Sequence, residues 1–182
     1  MRRLLGGFVL ALVAVALVPG SALATHSNGT GPDKDFLSGT VQGTCPTPLG
    51  SFACQVHNNG QSDSASGPGI PATGHWYIDF AATPVGPVHL SGDIICLTAI
   101  GNSAWVRSLI TQSNTPIAPA GFGLFGRNVD NGEGQKDPPD EFTGFLTGPP
   151  PTTCPPLPLT TAPAVQGNQV VHDGVLFRSD SY

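Results

Sequence analysis

Carboxylates are concentrated in one short segment of the chain. Five of its twelve acidic residues fall within a stretch of twelve: Asp130, Glu133, Asp137, Asp140 and Glu141. Carboxylate oxygens are preferred ligands of Ca²⁺, and the first and last of these residues have the spacing of an EF-hand loop, but glycine and glutamine stand at several ligand positions. A calcium site in this segment is therefore a hypothesis, and it would be a β-loop site of the weak extracellular kind, with a Kd of about 10⁻⁴–10⁻³ M. The alternative is a solvated hairpin loop whose charges keep a sheet edge soluble.

The chain has four cysteines, Cys45, Cys54, Cys96 and Cys154, and four cysteines allow three pairings. Cys45 and Cys54 flank a short loop with Pro and Gly that can fold back on itself. Cys96 lies within a predicted strand, and Cys154 lies in a proline-rich segment that could pass over the sheet. Because export favours oxidation, we expect the disulfides Cys45–Cys54 and Cys96–Cys154. Zinc is the competing interpretation, but the chain has none of the Cys and His spacings typical of a zinc site.

Catalytic motifs are missing from the sequence, which has no G-x-S-x-G, no H-E-x-x-H and no P-loop. The segment 121–126 matches G-x-G-x-x-G literally, but prolines precede it and an acidic turn follows it. Dinucleotide binding requires a strand before that motif and a helix after it. We therefore expect a protein that is not an enzyme. A small secreted hydrolase that uses carboxylates of the 130–141 segment is the alternative, since paired carboxylates need only spatial proximity.

Three aromatic residues offer a different chemistry. Trp76, Tyr77 and Trp105 would form a platform for stacking sugar rings if they were exposed on one face. The two tryptophans fit core-facing positions equally well, so burial of both would remove the support for a sugar-binding face.

An export signal accounts for the first 24 residues. Arg2 and Arg3 give a basic start, an apolar run of about 15 residues follows, and Ala22-Leu23-Ala24 is a cleavage site. The run is shorter than the roughly 20 residues that a membrane-spanning helix requires, so no stable membrane anchor is expected. The expected organisation is a signal peptide at 1–24, a flexible leader at 25–36 and a single β-sandwich domain at 37–182, secreted to the extracellular space.

The net charge of the chain limits the classes of partner that it can bind. Without Arg2 and Arg3, five basic residues remain against twelve acidic ones, a formal charge of −7. Nucleic acids and anionic membranes are bound through Lys and Arg, so neither is an expected partner. An extracellular ligand or a surface glycan is compatible with this charge, and no cofactor is expected apart from calcium.

Apolar and polar residues alternate in short stretches separated by Gly and Pro, a pattern typical of strands joined by tight turns. The clearest stretch is 74–80, where Trp76, Ile78 and Phe80 share one face. A hairpin is predicted from 88–100 and 103–111, joined by Gly101-Asn102 in a type II′ turn. Other predicted elements are strands at 37–43, 51–57, 122–129, 142–147 and 168–177, and a proline-rich surface crossing at 149–163.

These strands predict an all-β fold with little helix after the signal peptide. The expected architecture is an antiparallel β-sandwich, jelly-roll or Ig-like, with a partly closed barrel as the alternative. No internal repeat is identified.

Five short motifs, in a fixed order along the chain, resemble those of other proteins. The series consists of Gly92–Leu97, Gly101–Ala104, Val129–Glu133, Thr153–Pro155 and Gly167–Val171. Over about residues 88 to 173 the chain resembles a group of uncharacterised small secreted proteins of high-GC Gram-positive bacteria. The resemblance implies an all-β fold, is compatible with the Cys96–Cys154 pairing, and assigns no catalytic or binding residue.

The function that these features predict is a secreted, non-catalytic binding or interaction module. A pair of carboxylates in a cleft would favour the hydrolase instead. A structural protein of the cell envelope, with no ligand, is the third hypothesis.

Overall fold

The predicted strands are present and begin close to their predicted starts, but the first two extend beyond their predicted ends and the last ends at His172. The computed structural model describes residues 34–47, 49–62, 71–132, 136–149 and 156–174. The strands within these ranges are β1 (Phe36–Thr47), β2 (Gly50–Ser62), β3 (Ala72–Phe80), β4 (Val88–Ile100), β5 (Ser103–Ser113), β6 (Gly123–Val129), β7 (Glu141–Thr147), β8 (Ala162–Pro163) and β9 (Gln166–His172).

These nine strands belong to one antiparallel sheet. Its order is β8-β7-β6-β5-β4-β3-β2-β1-β9, so the first seven strands form a meander and the last returns to pair with the first. The described part of the chain contains no helix, and hence none with the length and hydropathy to cross a membrane. The prediction of an all-β antiparallel fold is confirmed. Because a single sheet carries the described strands, the architecture is the partly closed barrel.

Local sequence explains the individual strands. In β3, Trp76, Ile78 and Phe80 are buried and the residues between them are not, which is the two-residue period of a strand with one buried face. β4 and β5 form the predicted hairpin. A type II′ turn requires a positive φ at its first central residue only. Gly101, the first residue of this turn, has a φ of +60°, and none of the described non-glycine residues has a positive φ.

The sheet curls until its two edges approach each other. The side-chain amide of Asn58 in β2 donates a hydrogen bond to Asn128 in β6 at 3.2 Å, although three strands separate β2 from β6 in the sheet. The chain between β8 and β9 bridges the edges, since Ala164 N–H bonds to the carbonyl of Asp140, beside β7, and Val165 N–H bonds to a carbonyl of β1. One segment thus bridges β7 and β1, as expected of a sheet that curls into a partly closed barrel.

The barrel has two different ends. The strand ends that flank the β1–β2, β3–β4 and β5–β6 connections lie at one end, the mouth end, and those that flank the β2–β3, β4–β5 and β6–β7 connections lie at the other, the closed end. Toward the closed end the interior is filled, and Ile94 packs where Gly60 has no side chain, since a Cβ there would lie 2.8 Å from Ile94 Cδ1. The fully buried side chains in this half include Leu37, Val41, Leu97, Ala99 and Ala104.

The proline-rich crossing covers part of the outer face. Trp105 Nε1 donates a hydrogen bond to the carbonyl of Leu157 at 2.8 Å. The Arg127 guanidinium lies over the same indole, 5.2 Å from its centroid, and bonds to the carbonyl of Leu159. The described part of the crossing therefore lies across β5 and β6, as predicted.

The hypothesis of an aromatic platform for sugars is wrong. Trp76 and Trp105 are both buried. They also lie on opposite faces of the sheet, because Trp76 faces the barrel interior with Val106, and Trp105, the neighbour of Val106, points outward. Sugar rings cannot stack on two indoles that the sheet itself separates.

The ordered fold includes the end of the predicted leader. Asp35 is fully buried, its backbone bonds to Ser62, and Phe36 begins β1. Residues 34–36 therefore belong to the barrel, because backbone and side-chain groups of Asp35 have partners at the closed end. The predicted signal peptide and the rest of the leader lie outside the described residues.

Candidate functional site

The acidic segment forms the seam of the barrel. The carboxylate of Asp140 accepts a hydrogen bond from the backbone N–H of Gln169 at 2.6 Å, and that of Asp130 accepts one from Val171 at 3.0 Å. Gln169 and Val171 are alternate residues of β9, whose outer N–H groups face away from β1 and need another partner. The two seam aspartates, Asp130 and Asp140, thus attach the β6–β7 loop to β9.

Two further buried carboxylates, at the closed end, also join distant segments of the chain by accepting hydrogen bonds from backbone N–H groups. Asp35 accepts hydrogen bonds from the backbone N–H of Ala99 at 2.8 Å and of Gly174 at 3.2 Å. Asp173 accepts one from Gly101 at 2.8 Å. Both join the start or the end of the sheet to the β4–β5 hairpin, so the carboxylates at this end satisfy buried backbone donors.

The carboxylates of the predicted calcium loop do not converge. In the part of the chain that the structure describes, no group of three or more His, Cys, Asp or Glu is placed to hold a metal ion. The seam aspartates are directed at β9, Asp137 is exposed, and Glu141 accepts a hydrogen bond from the Thr161 hydroxyl. Glu133 lies outside the described residues, so calcium binding stays a prediction.

One of the two predicted disulfides is confirmed. Cys45 and Cys54 are bridged, with their Cα atoms 5.8 Å apart, on neighbouring strands β1 and β2. Cys96 is buried and is not bridged to any cysteine that the structure describes, and its predicted partner, Cys154, lies outside the described residues. The Cys96–Cys154 bridge therefore stays a prediction, which non-reducing peptide mapping would test.

The thiol of Cys96 is held in its neutral form. Burial raises the pKa of Cys96 from 9.0 to about 11, and the nearby Arg107 cation opposes that rise. Burial in turn lowers the pKa of Arg107. A neutral buried thiol is a poor nucleophile, so Cys96 is not a candidate catalytic nucleophile.

The stability of the fold should therefore depend on pH through Cys96. Its pKa is higher in the folded than in the unfolded chain, so the stabilisation is complete below pH 9 and is lost as the pH rises toward 11. We expect the free energy of unfolding to fall by about 1.4 kcal/mol more in the parent than in its Cys96→Ala variant when the pH is raised from about 8 to about 10. Urea unfolding of both proteins in a Cys154→Ala background measures this difference, and parallel pH dependences would contradict it.

The described histidines lie on the outside of the barrel. His75 bonds to Asp93 at 3.0 Å and His89 bonds to Asp79 on exposed parts of β3 and β4, and His57 stacks on Tyr77 with ring centroids 5.0 Å apart. These three histidines thus make polar or stacking contacts on the outer surface, and His26 lies outside the described residues.

Local sequence did not indicate one feature of the barrel interior, which lies toward the mouth end. A cavity of about 410 Å³ opens there, with walls formed mainly by apolar side chains such as Phe52, Val56, Ile78, Leu90 and Val106. None of the described side chains that line it is Asp, Glu, Lys, Arg or His. Barrels of about eight strands are wide enough to hold one small ligand, and this volume lies within the range of ligand pockets.

Three similar turns surround the mouth of the cavity. Each contains the tripeptide Thr-Pro-aliphatic, at 47–49, 83–85 and 115–117. In each, the backbone N–H of the aliphatic residue bonds to the threonine hydroxyl, at 3.2, 3.2 and 3.4 Å, so the turn is locally rigid. The aliphatic residues Leu49, Val85 and Ile117 line the cavity and remain 46%, 58% and 39% exposed.

These turns are functional candidates that sequence reasoning missed. The recurring tripeptide was a visible signal, although only the meander places the three copies at the same end of the barrel. The turn segments 46–51, 81–87 and 114–122 contain no Asp, Glu, Lys or Arg, whereas the seam and its aspartates lie at the opposite end. The mouth is therefore apolar and uncharged.

Comparisons of the chain with models of protein families, with curated proteins and with solved structures find no match. The function is accordingly argued from the geometry and chemistry of the cavity.

Proposed function

We propose that this protein is an exported, non-catalytic binding module whose barrel interior holds one small, mainly apolar molecule. The observation that carries the proposal is the cavity of about 410 Å³ with apolar walls and an open mouth. A bound molecule would gain about 25 cal/mol for each Å² of apolar surface that it removes from water.

The mouth supports the same function. Leu49, Val85 and Ile117 stand at the rim on turns that are stiffened by proline and by a threonine hydrogen bond. Exposed aliphatic side chains around a cavity indicate a binding surface, and rigid turns reduce the entropy lost when a ligand binds. An apolar molecule would therefore meet an apolar rim before it enters.

Export rests on the sequence and is compatible with the structure. The first 24 residues have the pattern of a signal peptide, and the Cys45–Cys54 bridge is of a kind that persists in oxidising compartments. A binding role is favoured over hydrolysis because the seam aspartates bond to backbone amides at the end opposite the mouth.

Binding of a neutral fluorescent probe, N-phenylnaphthylamine, tests the proposal. We expect saturable enhancement of its fluorescence with about one probe per chain, because the cavity volume suits a single small ligand. Val106→Trp places an indole in the cavity wall and should weaken binding at least tenfold. Leu124→Trp, on the same wall, provides a second filling variant in case overpacking at the more buried Val106 disturbs the fold.

The matched control is Val165→Trp, because Val165 is 84% exposed and does not line the cavity. It adds the same indole and should leave probe affinity unchanged. Circular dichroism confirms that each variant is folded. Probe affinity that is equal in the folded filling variants and in the control would mean that the cavity is not the site.

A further inference from the structure

One buried polar group in the cavity wall has no partner. Trp76 is 2% exposed, and its Nε1 makes no hydrogen bond to any residue that the structure describes. Buried indole N–H groups ordinarily have an acceptor, as Trp105 does in the carbonyl of Leu157. Burial of an unsatisfied donor costs about 1–3 kcal/mol of stability. The buried Trp76 N–H therefore needs an acceptor at this position.

Trp76 lies at the inner end of the cavity. In β3 the cavity is lined by Phe80, Ile78 and Trp76, and Trp76 is the farthest of these from the mouth. Its cross-strand neighbour in β2 is Asn58, which bonds across the interior to Asn128. Because each amide has more donors and acceptors than that single bond uses, the inner end of the cavity is polar, and its walls nearer the mouth are mainly apolar.

The lining also limits the charge of a ligand. No described side chain in the cavity wall is ionisable except Cys45, which is bridged to Cys54. The cationic side chains of Arg107 and Arg127 belong to residues that do not line the cavity. A carboxylate or an ammonium group buried here would have no opposite charge, and an unpaired buried charge is strongly unfavourable.

We propose that the molecule held in the cavity is uncharged and carries a hydrogen-bond acceptor, such as a carbonyl or hydroxyl oxygen, at its inner end. This oxygen accepts the Trp76 Nε1–H beside the Asn58–Asn128 pair, and the apolar remainder extends toward Leu49, Val85 and Ile117 at the mouth. The inference rests on the proposed function and specifies the class of ligand.

Displacement of N-phenylnaphthylamine by matched compounds of equal carbon number tests this class. The compounds are methyl nonyl ketone, undecane and undecanoate at a pH where the acid is ionised. Since one hydrogen bond to a buried donor contributes about 1 kcal/mol, we expect the ketone to displace the probe at roughly fivefold lower concentration than undecane. Undecanoate should be the weakest competitor.

The variant Trp76→Phe removes the donor and retains an apolar ring. It should abolish the advantage of the ketone over undecane, and the ratio of the two displacing concentrations reports this whatever the smaller ring does to the affinity for undecane itself. Trp105→Phe is the matched control, because it removes the other indole of the chain from the outer face and should leave the ratio of ketone to undecane unchanged. The comparison among the compounds in the parent protein needs no variant and decides the question even if Trp76→Phe does not fold.

The outcomes separate the two proposals. If the probe binds and undecane displaces it, but the ketone has no advantage or undecanoate is the strongest competitor, the ligand class is wrong and the binding function stands. If none of the compounds displaces the probe, or cavity filling has no effect, the binding function itself fails.

Discussion

Replacement of Asp140 by alanine should destabilise the protein by about 3 kcal/mol or more, because two hydrogen bonds to a carboxylate are lost and each contributes about 1.5–3 kcal/mol. One carboxylate oxygen accepts the backbone N–H of Asn131 at 2.9 Å and the other accepts that of Gln169 at 2.6 Å. Asp140 is buried, so water cannot fully replace the acceptor. Urea unfolding followed by circular dichroism measures the change.

The same substitution should open the barrel at a defined place. Hydrogen exchange at the amide of Gln169 should accelerate before that of strands distant from the seam, since local opening exposes the amides that have lost their partner. Val171, whose amide bonds to Asp130, should be affected next. Uniform acceleration over the whole sheet would instead indicate global destabilisation without a seam.

Two control variants distinguish the loss of the seam hydrogen bonds from the loss of negative charge in the loop. Asp137→Ala removes a carboxylate from the same loop, but Asp137 is exposed, so the change should stay within about 0.5 kcal/mol. Asp140→Asn retains one acceptor oxygen and should give an intermediate loss. Equal losses for Asp137→Ala and Asp140→Ala would show that loop charge, and not attachment of β9, is the cause.

Removal of the Cys45–Cys54 bridge should also lower the free energy of unfolding by a large amount. The bridge closes a loop of about ten residues, for which the chain-entropy relation gives a stabilisation of about 2.7 kcal/mol. We expect the Cys45→Ala, Cys54→Ala double variant to lose about this free energy of unfolding. Alanine is chosen because Cys54 and Cys45 are both buried, where the hydroxyl of serine would need a partner.

Reduction of the parent protein should reproduce the loss seen in the double variant, and reduction of the double variant should change its stability little. The bridge joins β1 to β2 close to the turn that carries Leu49. Probe affinity should therefore fall as well, because the rim becomes less rigid. Unchanged stability in the double variant would contradict the expected loss.

Strand positions could be predicted from the sequence because they depend on local alternation. Trp76, Ile78 and Phe80 follow a two-residue period that any half-buried strand shows, and Gly101 marks the turn of the β4–β5 hairpin. The Cys45–Cys54 bridge was predictable for a similar reason, since its loop is short. Each of these features depends on residues close together in the chain.

The candidate site could not be predicted in the same way. Asp130 and Asp140 suggested a metal loop because their partners, two amides of β9, are distant in sequence and carry no side-chain signal. The residues of the cavity wall suggested an ordinary core, because alternation indicates which face is buried but not whether the space behind it is filled. That space depends on side-chain volumes from strands across the barrel.

By itself the sequence determined an all-β chain of short strands, one local disulfide and an acidic segment. The tertiary structure decided that the acidic segment is a seam, that Trp76 faces a cavity while Trp105 lies under the crossing on the outside, and that three Thr-Pro-aliphatic turns share one rim. The physical reason is that curling of the sheet brings together residues that are far apart in the chain. Closure, cavity volume and an unpaired donor are properties of that assembly and of no single segment.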